Sequence, residues 1–225
     1  RDLYPDFEQL ADDLHAAGFK FLIYNNTFLD AETGTYQEAV DGGHTILDAQ
    51  GEPYLFTSAK FTPTSLVDLA DPDAVAWTRR KYRDGLELGA DGYMADYAEW
   101  LPTDAVLHGG ADPWERHNLY PVDFQRLNRE LFDEMEAEDV ARQLMADQLD
   151  MDIRNPSILV KAAAGGGGMG IEEVHQVEQF RRVYRQIQNY AKRQFGDGGV
   201  LIEQCLRDYN HIEVQLTCSR HGERV

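Results

Sequence analysis

Cysteine is almost absent. Cys205 and Cys218 are the only two in 225 residues. That rules out a disulfide scaffold and fits a reducing, cytoplasmic setting. Both lie in strand-like apolar runs and read as buried structural thiols. No apolar run approaches the roughly 18 residues needed to cross a bilayer. Basic residues are also scarce: 21 Lys and Arg against 40 Asp and Glu leave a net charge of −19. A surface this acidic disfavours nucleic acid and anionic membranes as partners. A secretory leader is not evident, and the chain opens on Arg1 rather than methionine, which reads as an internal piece. There is no Gly/Ser linker and no internal repeat.

The charge is unevenly spread. Residues 1–135 carry 10 basic and 26 acidic groups, whereas residues 136–225 carry 11 and 14. The two stretches look compositionally unrelated. In the first, Phe7, Leu10, Leu14 and Ala17 follow helical spacing, and Gly18 closes the helix. Phe19–Tyr24 reads as a buried strand ending at Asn25. Residues 30–63 read as loop-rich, with short hairpins. Asp71 then caps a helix with Pro72 in its first turn, and Gly89 ends it. A second buried strand, Gly92–Asp96, follows. This alternation predicts a parallel α/β sheet or barrel, in which chemistry gathers at the carboxyl ends of the strands. Asn25 and Asp96 both fall at that end. Pro121 reads as the start of a third helix, or of two with a short break, because no glycine or proline recurs before Pro156.

Asp96 carries the first candidate chemistry. A rigid, ionised carboxylate at a strand end can attack the anomeric carbon of a sugar and form a covalent glycosyl intermediate, provided a second carboxyl serves as acid. Read from spacing alone, Asp96 could equally cap a turn. The surrounding run, Met94-Ala95-Asp96-Tyr97-Ala98-Glu99-Trp100-Leu101-Pro102-Thr103-Asp104, resembles glycoside hydrolase family 31, and within it the sulfoquinovosidase branch. Tyr36-Gln37-Glu38-Ala39, Gly51-Glu52-Pro53-Tyr54, His108, His117-Asn118 and Tyr120-Pro121 extend the match. The resemblance implies a (β/α)8 barrel, an α-glycoside substrate, no cofactor and Asp96 as nucleophile of a retaining mechanism. The family's general acid falls downstream of this motif, where the sequence has changed character. Glu99, His108 and His117 read as supporting residues.

The last third has a different grammar. Ser157–Ala162 reads as a strand that delivers Lys161 to Gly165, Gly166, Gly167 and Gly168. Consecutive glycines let the backbone fold over an anion with its N–H groups turned inward, and a neighbouring lysine adds charge. The order differs from a P-loop, where the lysine follows the glycines. Glu172–Phe195 reads as one amphipathic helix, and Val200–Leu206 and His211–Cys218 as strands. Val160-Lys161-Ala162, Gly165–Gly170, Phe195-Gly196-Asp197-Gly198, Val200-Leu201-Ile202-Glu203 and His211-Ile212-Glu213-Val214-Gln215 resemble the ATP-grasp lid of biotin carboxylases. That resemblance implies ATP with Mg. Lys161 and Gly165–Gly168 would then contact the phosphates, Glu203 to Leu206 would line the adenine hinge, and His211 would lie near the nucleotide. Met169 and Gln204 stand where basic residues are common in that family.

The expected organisation is therefore a partial barrel over 1–135, a helical junction over 136–155 and an α+β lid-like segment over 156–225. Each half carries part of a catalytic motif set. The leading reading is an incomplete or chimeric chain whose larger part resembles a retaining α-glycosidase; the alternatives are a biotin carboxylase fragment, and a chain with no complete activity that only binds ATP or serves as structure.

Overall fold

The computed structural model describes residues 5–58, 61–151, 153–164 and 169–205. Gly165–Gly168, Leu206, His211 and Cys218 lie outside the described residues. The chain divides into two compact units, Arg1–Asp133 and Glu134–Val225.

The first unit begins with α1 (Phe7–Ala16), β1 (Leu22–Asn25), β2 (Phe28–Asp30) and α2 (Gly34–Asp41). It continues with β3 (Phe56–Ser58), β4 (Phe61–Leu66), α3 (Pro72–Glu87) and β5 (Gly92–Ala95). The cap on α3 is as the sequence predicts: Asp71 accepts from Asp73 N at 2.9 Å. This satisfies one of the orphan N–H groups of the first turn. Gly89 follows α3 at φ +107°, where a Cβ would meet that of Ala11 at 2.8 Å. β1 and β5 pair in parallel, with Tyr24 opposite Met94 and Asn25 opposite Ala95. Parallel pairing is confined to these two strands among those described, since β2-β4-β3 is antiparallel.

Three expectations need correction here. β1 and β5 are not buried strands: Leu22 and Met94 are 63% and 59% exposed. Helix α3 covers one side, where Ile23 Cδ1 lies against Gly85. Leu22, Tyr24 and Met94 alternate to the other side, which no described strand or helix covers. Second, the loop-rich segment contains α2, started by Thr33, whose hydroxyl accepts from Tyr36 N at 3.2 Å. Third, the helix expected at Pro121 begins at Pro113. α4 (Pro113–Asp150) runs 38 residues without a break, with Pro121 inside it. Pro113 occupies the first turn, where a missing N–H costs nothing, and Asp112 accepts from Trp114 N at 2.9 Å. Tyr120, Phe124, Leu127 and Leu131 of α4 are buried.

The second unit holds the end of α4, then β6 (Ile158–Ala162), β7 (Ile171–Val174), α5 (Val177–Phe195) and β8 (Val200–Gln204). The sheet order is β7-β6-β8, all antiparallel. β7 replaces the predicted first turn of the helix that was expected from Glu172. Ile171 and Val174 pair with Lys161 and Ile158, so ladder bonds outweigh the weak helical signal there. Helix α5 starts only after His175-Gln176 and ends on Gly196, which takes the left-handed conformation. One sheet face packs on Phe180, Val183, Ile187 and Ala191 of α5, with Ala141 and Met145 of α4. Each such large side chain contributes about 1.5–3 kcal/mol on burial. Gln148 ties α4 to β6: its amide accepts from Ser157 N at 3.1 Å and donates to Ser157 O at 2.9 Å.

Candidate active site

Parallel pairing places Asp96 and Asn25 side by side at the carboxyl ends of β5 and β1, with Asp96 N donating to Asn25 O at 3.1 Å. The Asp96 carboxylate is held at both oxygens. Tyr24 OH donates to Oδ2 at 2.7 Å, and Tyr97 N donates to Oδ1 at 2.9 Å. Desolvation and then the hydrogen bond to Asp96 push the Tyr24 phenol up to about 12. Tyr24 escaped the sequence reading, although its i, i+2 alternation with Leu22 and its place one residue before Asn25 were available signals.

The backbone after Asp96 is strained. Tyr97 and Ala98 are successive non-glycine residues at φ +56° and +150°. Such conformations cost on the order of 1–3 kcal/mol each, and they gather at functional sites. The strain is stabilised by local contacts. Ala98 is buried, and its N–H donates to Glu99 Oε2 at 3.0 Å. Tyr97 packs edge-on against Phe28 at 5.4 Å, and Trp100 does so at 6.2 Å. Glu99 is thereby engaged in shaping the loop. His117 Nδ1 lies 2.5 Å from Leu101 O, and His108 N donates to Asp68 at 2.6 Å. The His117 imidazole thus contacts loop backbone, whereas the His108 bond comes from its own backbone N–H.

In the second unit, the structure brings Lys161 and Glu203 together. They project from β6 and β8 onto the sheet face opposite α5, and the Lys161 ammonium contacts the Glu203 carboxylate. Leu159, Ile171 and Leu201 share that face by register, and Ile171 and Leu201 are exposed. The arrangement offers an apolar platform with one cation, Lys161, and two carboxylates, Glu203 and, opposite Leu159, Glu173. That donor set fits a nucleotide: a flat base can cover the aliphatic side chains, Glu203 can accept from an exocyclic amine, and Lys161 can turn to a phosphate. Among the described residues, no three His, Cys, Asp or Glu side chains cluster as metal ligands, and no helix is long and apolar enough to cross a membrane.

Comparison with known proteins places this geometry in a family. The model of the glycosyl hydrolases family 31 TIM-barrel domain matches residues 1–167. The chain belongs to glycosyl hydrolase family 31. The model of the carbamoyl-phosphate synthase L chain ATP binding domain matches residues 126–225, so the end of α4 and β6 fall within both. A sulfoquinovosidase of Escherichia coli (strain K12) is 33% identical over 132 residues, covering 58% of this chain and 19% of that protein. Biotin carboxylase 2 of Bacillus subtilis (strain 168) is 40% identical over 68 residues, covering 30% of this chain and 15% of that protein. Among solved structures, a family 31 sulfoquinovosidase from E. rectale in complex with an aza-sugar inhibitor matches with a TM-score of 0.56 and 34% identity. That match covers 59% of this chain and 20% of the other. The chain thus spans about a fifth of the glycosidase relatives and less of the carboxylase one.

Proposed function

We propose that the chain joins the nucleophile-bearing section of a retaining α-glycosidase, of the sulfoquinovosidase kind, to an ATP-grasp lid-like segment of the biotin carboxylase kind. The glycosidase-like part is residues 1–135, and the lid-like part is 156–225, with 136–155 as the helical junction between the two sequences. The observation that carries the first reading is the double hold on Asp96, by Tyr24 OH and Tyr97 N, at the carboxyl end of a parallel strand.

In this reading Asp96 acts as nucleophile on the anomeric carbon of an α-glycoside. The two hydrogen bonds fix the carboxylate orientation before substrate arrives, so no reorganisation is needed at the moment of attack. The strained Tyr97–Ala98 backbone follows Asp96 directly at the end of β5. Departure of the aglycone needs a proton from a second carboxyl about 5–5.5 Å away. Glu99 is occupied by Ala98 N, so that acid comes from outside the Asp96 motif. Incubation with a 5-fluoro-glycosyl fluoride, followed by peptide mass spectrometry, tests the assignment. The expected adduct lies on the peptide containing Asp96 and disappears in Asp96→Asn. An adduct elsewhere, or one that survives Asp96→Asn, overturns it.

A second reading rests on the Lys161–Glu203 pair over the exposed Leu201 and Ile171 side chains. Lys161, Gly165–Gly168, Glu203, Leu206 and His211 would hold ATP. Mg would arrive on the phosphates, and bound ATP would supply phosphoryl transfer. Calorimetric titration with Mg-ATP tests it. Lys161→Ala should weaken binding about tenfold or more, since a charge-assisted contact is worth about 1.5–3 kcal/mol. Unchanged affinity refutes the role.

A further inference from the structure

We infer that Asp68 is an acid-sensitive latch: its ionised carboxyl fastens the turn at His108 to the β4–α3 connection, and protonation releases that turn. Asp68 lies between β4 and α3 and is 4% exposed. Its own backbone is fixed, with N donating to His44 O at 2.9 Å and O accepting from Asp71 N at 3.0 Å. The two carboxylate oxygens are used differently. Oδ1 accepts from Ala70 N at 2.9 Å, inside the same turn, whereas Oδ2 accepts from His108 N at 2.6 Å, 40 residues further along the chain. His108 opens the short 3-10 turn His108–Gly110, which lies between the Asp96 loop and α4. Before it, the chain is secured by the paired backbone bonds of Leu47 and Val106, at 3.1 and 2.7 Å, and by buried Leu107. After it, Gly109 and Gly110 take φ +65° and +73°, conformations that glycine enters and leaves without a Cβ penalty. The bonds from Gly110 N to Leu107 O and from Ala111 N to His108 O are internal to the turn. The Asp68 bond is therefore the one that ties the turn back to β4 and α3.

Both hydrogen-bond partners of the carboxylate are neutral N–H groups, and desolvation outweighs them, so the Asp68 carboxyl is pushed above the ordinary aspartate value. The groups that face it come from three elements. Asp71, at the start of α3, repels the charge and raises the carboxyl further, while the His108 ring acts in the opposite sense. That ring is exposed and lies with Nδ1 3.7 Å from Asp71 Oδ1. The Tyr120 phenol of α4 is kept neutral by burial and donates to Val67 O at 2.8 Å. His44 meets Asp68 through its carbonyl, and its ring is tilted against Trp77 at 5.4 Å. A proton on Oδ2 sets an O–H against the His108 N–H and removes the charge that strengthens this bond. The Ala70 bond persists, because the turn itself holds Oδ1 in place. The folded chain binds this proton more tightly than the unfolded one, so Asp68 adds to overall stability as pH falls through its folded value. Loosening of the turn at acid pH is thus separable from acid unfolding.

The latch is independent of any role for Asp96. It is tested on the full chain by ¹H–¹⁵N correlation spectra from neutral pH downward, with amide exchange corrected for its intrinsic pH dependence. The His108 amide proton should move upfield with a midpoint above 3.8, the ordinary aspartate value. Exchange at His108–Gly110 should quicken about tenfold over the same range, the difference between a charged and a neutral acceptor, while the α3 amides keep their protection. Asp68→Asn presents the neutral form at every pH, so its His108 amide should exchange at the released rate already at neutral pH and no longer titrate. Should that variant fail to fold, two others decide. His108→Gln keeps the backbone N–H and removes the imidazole, so the titration should persist with a higher midpoint. Asp71→Asn keeps a capping side chain for α3 and removes the like charge, so the midpoint should fall. A midpoint at or below the ordinary aspartate value overturns the proposal. So does a titration that vanishes in His108→Gln, which assigns it to the imidazole, or protection lost in α3 together with the turn, which is unfolding of the unit.

Discussion

Removing Arg185 should damage the second unit far more than removing its partner. Glu134 on α4 is 1% exposed and receives two bonds from Arg185 of α5, at 2.8 and 2.9 Å. The Arg185 side chain itself is 40% exposed. In Arg185→Met the carboxylate stays buried after losing its bidentate cation, and breaking such a pair costs about 3–5 kcal/mol. The half-open position of Arg185 places the value near the lower end, about 3 kcal/mol. In Glu134→Leu the guanidinium can turn to water, and leucine adds buried apolar surface, so the loss should stay below about 1.5 kcal/mol. The double variant should recover most of the Arg185→Met loss, because the buried carboxylate that lost its bidentate cation is then gone too. The three tryptophans, Trp77, Trp100 and Trp114, all precede residue 134, so their fluorescence follows only the first unit. Far-UV circular dichroism and hydrogen exchange of peptides from α5 report on the second. With a urea slope near 1.5 kcal/mol/M, the Arg185→Met midpoint should fall by about 2 M in the exchange signal, while the tryptophan transition stays in place. Equal losses for the two single variants, or a double variant as weak as their sum, would refute the reasoning.

The remaining predictions concern titration. Asp91 accepts from Lys20 Nζ, Phe21 N and His15 Nε2, at 2.7, 2.8 and 2.7 Å. The Lys20 bond first, then the Phe21 N–H and His15, hold its carboxyl well below the usual range. A depressed carboxylate stabilises the fold above its unfolded value near 3.8 and loses that contribution as pH falls through the folded one. Thermal melts of wild type and Asp91→Asn should therefore differ most above pH ~4 and converge below it; a constant gap refutes this. At the other end of β5, absorbance at 295 nm should show Tyr24 titrating at about 12. Asp96→Asn should move it only part of the way towards 10, because desolvation precedes the carboxylate among its causes. No movement at all would mean that the Tyr24–Asp96 bond is absent in solution.

The sequence disclosed elements wherever a local rule and the tertiary context agree. The α3 cap at Asp71, the parallel placement of Asn25 and Asp96, and the strand that carries Lys161 are all of this type. It failed where partners elsewhere in the chain decide. Ile171–Val174 is a strand because β6 offers it a ladder, and no reading of Glu172–Phe195 as one amphipathic run could reveal that. Tyr24 went unnoticed because its significance lies in a carboxylate 72 positions away. The exposure of Leu22 and Met94 runs against their composition. Apolar alternation marks a face suited to burial, but whether that face is covered depends on what packs against it.

α4 carries the step in composition near residue 135, which falls at the division between the two units, without a break in the helix. Its buried positions run Tyr120, Phe124, Leu127, Leu131, Glu134, Glu138, Ala141, Met145 and Gln148, alternating steps of four and three without losing phase. Only the chemistry of the stripe changes, from apolar and aromatic side chains to Glu134 and Glu138, matched by Arg185 and Arg181 of α5. These acids, together with Ala141, Met145 and Gln148, belong to the core and edge of the second unit. A chain beginning at Pro156 would therefore lose both ion-pair partners, two core side chains and the Gln148 clasp on Ser157. The expectation is that residues 156–225 expressed alone give the collapsed amide dispersion of an unfolded chain, while residues 126–225 give the dispersed spectrum of a folded one. If the shorter piece folds as well as the longer, the stretch of α4 from Glu134 to Asp150 is a connector, and the ladder from Glu134 and Glu138 contributes nothing the sheet and α5 do not already supply.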